Sequence, residues 1–371
     1  MPNDVIVYTR LDSKPKPAEA MSILVLQTTG IRDPKIYRDY KEMLSDNYLD
    51  SSEAYKAVVA LFDQGKTTLA DRLIRKVKVA GIDVAENAAP TELVAAVEEF
   101  RQQDDNWHIL LTDRTDLASI TALCAWAECT EPTEAELGAG VEDHRKFYFS
   151  HALFSDLFAP AGDGSLSSTV LLIPNKRRCA GIAAASSAEQ TAPAYIGNVG
   201  PFYPRSVTWK FKRPAGIELP DLTKAQREAL EEANWNFLTD EYGKIYVKNG
   251  VCFDGEFIDN QLGADWITEH MREELYHVYL VNEKVPYDDE GFSMVGAAVL
   301  ATLNAAVALH ILAKDPQSKQ GRFRVTIPTR ADATDEQARR REMPPIFWEA
   351  EFEGAVHSSK SSGVLYAALP A

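Results

Sequence analysis

Apolar and polar positions follow two different periods along this chain. Asp4–Arg10 (DVIVYTR) is dense in β-branched and aromatic residues and predicts a strand. Lys14-Pro15-Lys16-Pro17 follows, a spacer that disfavours helix and prefers an extended form. A second strand is predicted at Ile23–Leu26. No tight turn joins the two strands, so they do not read as a hairpin. A spacer of roughly seven or eight extended residues reaches ~20–25 Å, which lets the first strand leave its own body.

From about residue 21 to 200 strand and helix patterns alternate. Helices are predicted over Glu53–Gln64, capped by Asp50-Ser-Ser-Glu53, from Pro90 with Leu93, Val94, Val97 and Phe100 on one face, and over Leu117–Glu128. Strands are predicted at Arg75–Val79, Trp107–Leu111, Phe147–Phe149 and Val170–Ile173. The stretch Pro201–Pro220 is richer in proline and basic residues and is read as a boundary. Beyond it the pattern predicts a strand at Val207–Phe211, a helix at Thr223–Ala233, and a hairpin of Ile245–Val247 with the glycine-punctuated Asn249–Gly255. Long helices follow at Asp265–Val281 and Gly291–Lys314, then a strand at Phe323–Ile327, a short helix at Thr334–Arg341 and a strand at Ile346–Phe352. This alternation makes the fold class α/β (α+β): two mixed α/β domains with extended N- and C-terminal strand arms. The expected units are an arm and linker over 1–20, an outer domain over 21–200, an inner domain over 201–353, and a second arm over 354–371.

Composition narrows the function. The chain has 371 residues, of which 45% are hydrophobic and 25% charged, enough to bury real cores. A net charge of −16 argues against nucleic acid as a partner and requires any self-association to manage repulsion. Cys124, Cys129, Cys179 and Cys252 are too few and scattered for a disulfide framework, so a reducing compartment is expected. The N-terminal MPNDVIVYTRLD lacks a signal-peptide layout. Gly296–Ala313 is nearly long enough to span a bilayer, but it is interrupted by Thr302, Asn304 and His310 and lacks an anchor belt. It reads as a buried core helix, with no membrane insertion expected.

The candidate chemistry is thin. Gly65-Lys66-Thr67 resembles the end of a phosphate-binding loop, but Ala60 stands where that motif needs glycine, and a helix leads in where a strand should. A nucleotide hydrolase using Lys66 is therefore a distant alternative. His270, Glu273, Glu274 and His277 share a helix without the spacing of a zinc protease. No Gly-x-Ser-x-Gly elbow appears, and Tyr287–Gly291 is too short for a calcium loop. No catalytic constellation and no cofactor are expected, which shifts weight toward assembly. Two features favour assembly: the detached terminal strands, and a basic island from Lys314 to Arg341 that could dock an acidic partner.

In order and spacing, several segments resemble the compact contractile tail sheath proteins of myophages. These are Tyr48–Ala57 through Phe62-Asp-Gln64; Ala233-Asn234 with Asn249-Gly250; Gly255–Asp259 with Asp265-Trp266-Ile267; Val285-Pro286-Tyr287 with Gly291; and Arg339–Arg341 through Phe347–Ala350 to Gly354–His357. The resemblance implies a non-enzymatic virion part, assembled in the host cytoplasm. It would stack as hexameric rings around a tail tube, between baseplate and tail terminator, and contract to drive the tube through the host envelope. In such proteins terminal arms add strands to neighbours. Here the exchange arms would carry Val5, Ile6, Val7, Tyr8, Val356, Val364 and Leu365. The acceptor strand would carry Phe347, Trp348 and Phe352, and Arg339, Arg340 and Arg341 would face the tube. The serines of Ser358–Ser362 weaken the alternation of the second arm. A baseplate or terminator protein, or the sheath of a phage-derived bacteriocin, shares this logic.

Overall fold

The computed structural model describes residues 22–65, 74, 76–133, 135–136, 143–158, 165–167, 170, 173, 176–201, 204 and 206–358. The strand expected at Asp4–Arg10, the spacer at Lys14–Pro17, Lys66 with Thr67, and the second arm from residue 359 on, with Val364 and Leu365, lie outside them.

The larger sheet contains β1 (Ile23–Gln27), β2 (Arg32–Tyr37), β3 (Val77–Gly81), β4 (Ile109–Thr112), β5 (Phe147–Leu153) and β6 (Cys179–Ala184), in the order β2-β3-β1-β4-β5-β6. All neighbours run parallel except β2, which runs antiparallel to β3. In β1, Ile23 to Leu26 are all buried, because a central parallel strand is covered on both faces. Alternate residues point to different cores. Ile23 and Val25 meet Ala57, Val58 and Leu61 of α2 (Glu53–Phe62) and Tyr195 and Ile196 of α6 (Thr191–Val199). Leu24 and Leu26 meet Leu93 and Val97 of α3 (Pro90–Gln103) and Ile120 and Leu123 of α4 (Leu117–Cys129). Two short helices, α1 (Lys41–Ser45) and α5 (Phe154–Leu157), complete this half. The helix starts follow local chemistry: Ser52 and Asp116 accept hydrogen bonds from the amides of Tyr55 and Ser119, and Pro90 stands in the first turn of α3.

The second half continues with α7 (Lys224–Glu232), capped by the reciprocal Thr223–Gln226 pair, and the hairpin β7 (Phe237–Glu241) and β8 (Lys244–Lys248). Trp209, Leu238, Val247, Ile258 and Leu262 join the core of the larger sheet. A third core begins at Trp266 on α8 (Ile258–Val281). There Ile267 packs with Val299, Leu303, Ala306 and Val307 of α9 (Asp289–Ala308). The apolar stretch Gly296–Ala313 thus lies in a core helix as far as Ala308, where the helix ends short of the expected Lys314, and its buried face there includes Val299, Leu303 and Ala306. The chain then forms β9 (Phe323–Thr326), α10 (Asp335–Arg340) and β10 (Phe347–Ala350).

Three expected elements differ. Val170 and Ile173 are buried and lie in no described strand, the Ile173 amide donating to the Val170 carbonyl at 3.2 Å; residues 171 and 172 lie outside the described ones. Val207–Phe211 is irregular, because Phe211 sits at φ 65°, outside the strand region. The partner of Ile245–Val247 is β7, through the turn at Tyr242-Gly243, and Asn249–Gly255 is a separate turn.

Candidate assembly interface

Strand β10 pairs antiparallel with β9, Trp348 opposite Val325 and Glu349 opposite Arg324, as a two-stranded sheet. Phe323 and Val325 alternate toward the core of α8 and α9, joined by Ile346. Arg322 reaches Glu351 at 2.6 Å and Arg324 reaches Glu349 at 3.7 Å across the exposed face. Exposed pairs of this kind contribute at most ~1 kcal/mol each, so packing on the helices holds the sheet. All four residues of β10 are exposed, with Phe347 at 68% and Trp348 at 39%. Phe352 lies just beyond, bridged to Leu312.

The free edge of β10 follows from the ladder. The Glu351 amide donates to the Arg322 carbonyl at 2.9 Å. In an antiparallel pair bonded and non-bonded residues alternate. Residues 347 and 349 therefore turn their backbone groups to β9, while the amides and carbonyls of Trp348 and Ala350 face away from it. Among the described residues no strand covers that edge. Of the expected acceptor residues, Phe347 and Trp348 lie on β10 and Phe352 two residues beyond its end. Val356 is 84% exposed and lies in no described strand.

The three expected tube-facing arginines also come together. Thr334 and Gln337 form a reciprocal cap on α10, and Asp335 and Glu336 at its start with Arg339 and Arg340 at its end complement the helix dipole. Arg340 pairs with Glu336 at 2.8 Å, and Arg341 closes the helix in the left-handed region at φ 59°. All three arginines are exposed. Tyr287 Oη donates to the Glu342 carbonyl at 2.7 Å, and the Arg330 amide donates to Asp289 at 2.6 Å, tying α10 beside the start of α9. The end of α8 lies at this end of the helical hairpin and exposes Tyr276, Tyr279, Leu280 and Val281, a patch that sequence reading did not single out.

Sequence reading also missed a buried charge cluster. Asp265 of α8 meets Arg178 Nη1 at 2.6 Å and His108 Nε2 at 2.8 Å, with Arg145 at 3.6 Å. Arg178 and Asp265 are fully buried. His108, Arg145 and Arg178 stand just before β4, β5 and β6, so the parallel register lines them up at one end of the sheet. Burial would raise the Asp265 carboxyl, but the charges and hydrogen bonds of Arg178 and His108 outweigh it and hold it well below the usual carboxylate range. Arg145 also grips Asp143 at 2.6 Å, which Arg272 of α8 reaches at 3.0 Å. The cluster locks α8 to the sheet.

His270 stacks on Trp266 with ring centroids 4.6 Å apart. Among the described residues no group of three or more His, Cys, Asp or Glu side chains is placed to hold a metal ion. A helix, α2, leads into Gly65, where a phosphate loop would follow a strand; Lys66 and Thr67 lie outside the described residues.

No protein-family model and no curated protein matches the chain. Solved structures do. The chain aligns over 99% of its length, and 99% of the other's, with the anti-feeding prophage (AFP) helical sheath in its contracted state, at TM-score 0.61 and 13% identity. With the PVC sheath complex of an extracellular contractile injection system, also contracted, coverage is 96% and 98%, at TM-score 0.62 and 11% identity. This chain has the contractile-sheath fold. A chain of the AFP baseplate shares it too, at TM-score 0.64 and 13% identity over 96% of this chain and 98% of that one. The sheath fold implied by the ordered segments of the sequence is the one observed, and it spans both the larger sheet and the α8–β10 region.

Proposed function

We propose that this chain is the structural sheath subunit of a contractile phage tail or phage-derived injection device. It would polymerise as stacked hexameric rings around a tail tube between a baseplate and a terminator, and shorten to drive the tube through a host envelope. In this reading it performs no catalysis and works in a particle, the virion in the case of a phage, after assembly in the host cytoplasm. The observation that carries the reading is the edge of β10 that no strand covers among the described residues, in a chain that has the sheath fold. The helices beneath hold this sheet, and the outward backbone groups of Trp348 and Ala350 suit the addition of a further strand. The reading assigns Val5–Tyr8 from one copy and the Val356–Leu365 segment from another to the open edges, with Phe347, Trp348 and Phe352 receiving them. Arg339, Arg340 and Arg341 face the tube. Each added backbone hydrogen bond contributes ~0.5–1.5 kcal/mol, and linkage through a lattice multiplies the effect. The test is electron microscopy of the purified full chain as concentration rises. Helical tubes support the sheath; closed rings of fixed size support a terminator; a monomer at every concentration, alone or with a cognate tube, overturns the reading.

A further inference from the structure

The last described residues cross from one core to another and are fastened at two points. At the first, the Glu353 amide donates to the Ile311 carbonyl at 3.1 Å, and its carboxylate pairs with His310 at 3.1 Å. Gly354, Ala355 and Val356 then run exposed. At the second, His357 Nε2 and Thr208 Oγ1 share a hydrogen bond at 2.7 Å. The imidazole meets the Phe257 ring edge-on at 4.7 Å between centroids and the Phe211 ring at 6.1 Å. This nook belongs to a different region of the fold: Thr208 and Phe211 lie in the irregular segment before α7, and Phe257 caps the start of α8. Phe211 is in turn braced by Tyr246 of β8 at 5.2 Å.

The geometry points to His357 as the clamp that fixes where the C-terminal segment leaves the body. Seated in the Thr208, Phe211 and Phe257 nook, it fixes the point at which the chain leaves the body, and with it the range of neighbouring surface that the following segment can reach. Without it, the exposed 354–356 span would swing from Glu353 and spread the segment's reach over many directions. A clamped start lowers the ordering cost of strand addition, because less freedom is lost on binding. The assignment of residues 359–371 to a neighbour rests on the sheath reading; the clamp itself does not.

Charge around the nook gives a second handle. Burial first, and then the charge of Lys210, hold the imidazole below its ordinary range. The other charged and titratable groups on the surrounding elements are Lys212, Asp259, Glu256, Tyr246 and Glu241. A lowered folded value means that the clamp favours neutral imidazole. Its contribution is complete above the unfolded value of about 6.5 and is lost as pH falls through the folded value.

Lys360 supplies a protease site three residues beyond the clamp. On soluble full-length chain, His357→Ala is expected to speed tryptic cleavage at Lys360 about tenfold, the size of losing one hydrogen bond and two ring contacts. The thermal transition of the body should stay unchanged. Thr208→Val gives a smaller increase, and His357→Phe, which keeps the ring contacts, restores part of the protection. In a nuclear magnetic resonance titration His357 should titrate below 6.5, and Lys210→Gln should move it upward. Equal cleavage in the wild type and His357→Ala, or titration at the ordinary imidazole value, overturns the clamp. If both readouts hold and the wild type never forms tubes, the sheath reading falls and the clamp stands. If tubes form but the cleavage rates are equal, the reverse is true.

Discussion

Strand β2, the edge of the six-stranded sheet, carries Pro34, a register shift between Arg32 and Lys35, and two cations. β10, an edge of the two-stranded sheet, carries no proline, no register shift and two exposed aromatics. The other edge of the larger sheet is closed as well: the Ala183 amide donates to the Asn236 carbonyl at 2.8 Å, and the Asn236 amide to the Gly181 carbonyl at 3.0 Å. Prolines, bulges and inward-turned cations keep edge strands from pairing with foreign chains. Among the described residues, one sheet is thus guarded against strand addition and the other shows an uncovered edge. The contrast sets a scaffold, held by buried charges and closed edges, against the region proposed to receive further strands.

The largest expected effect tests the scaffold. Asp265→Asn takes from buried Arg178 its nearer anion, Glu131 standing at 3.8 Å, and should cost ~3–5 kcal/mol in denaturant unfolding. A loss below ~1 kcal/mol would show that the cluster does not lock α8 to the sheet. The sign of the pH dependence follows from the lowered carboxyl of Asp265. Its stabilisation is present above the unfolded carboxylate value of about 3.9 and is lost as pH falls toward the folded one. Wild-type stability should therefore fall steeply in acid, and Asp265→Asn should flatten that limb.

The open edge comes next. Ala350→Pro removes an outward-facing amide while sparing the bonds of residues 347 and 349 to β9. It should abolish tube formation in sedimentation while changing body stability by less than ~1 kcal/mol. Deleting residues 1–12 should likewise leave a cooperative folded monomer; tubes that persist without the segment would show that it is not the added strand. A smaller effect is expected from Arg339→Glu with Arg340→Glu. Both side chains are exposed, so folding should shift by no more than ~0.5 kcal/mol. Co-sedimentation with tail tubes should weaken, and for the wild type it should weaken with salt, since exposed charges are screened beyond about 8–10 Å. Salt-independent tube binding, equal in wild type and variant, would remove the arginines from the contact. The smallest effect is on the guarded edge: Pro34→Thr should preserve the fold and slightly raise non-specific association, measured by light scattering.

Much of the fold was legible because its cause is local. The caps at Ser52, Thr223 and Thr334 and the proline at position 90 start helices where the residues themselves satisfy the first amides. Apolar spacing in α3 predicted its buried face, the Ala-rich apolar run of Gly291–Lys314 predicted a buried helix that ends at Ala308, and the strand read at Phe323–Ile327 contains β9. The strand read at Ile346–Phe352 contains β10, Phe347–Ala350.

What tertiary structure alone decided involves residues far apart in the chain or patterns without a local signature. β6 is composed of small residues apart from Ile182, all of them buried. A Cβ at Gly181 would lie 2.6 Å from the Phe253 ring and 2.8 Å from Trp235, so the strand is specified by what packs over it. β2 is charged and carries a proline, and only its pairing with β3 makes it a strand. The Asp265 cluster joins His108, Arg178 and a helix residue 157 and 87 positions away, and His357 meets Thr208 across 149. Hydropathy periods report which residues seek burial within one element. They carry no information about which elements meet, because that depends on register and chain closure across the whole fold.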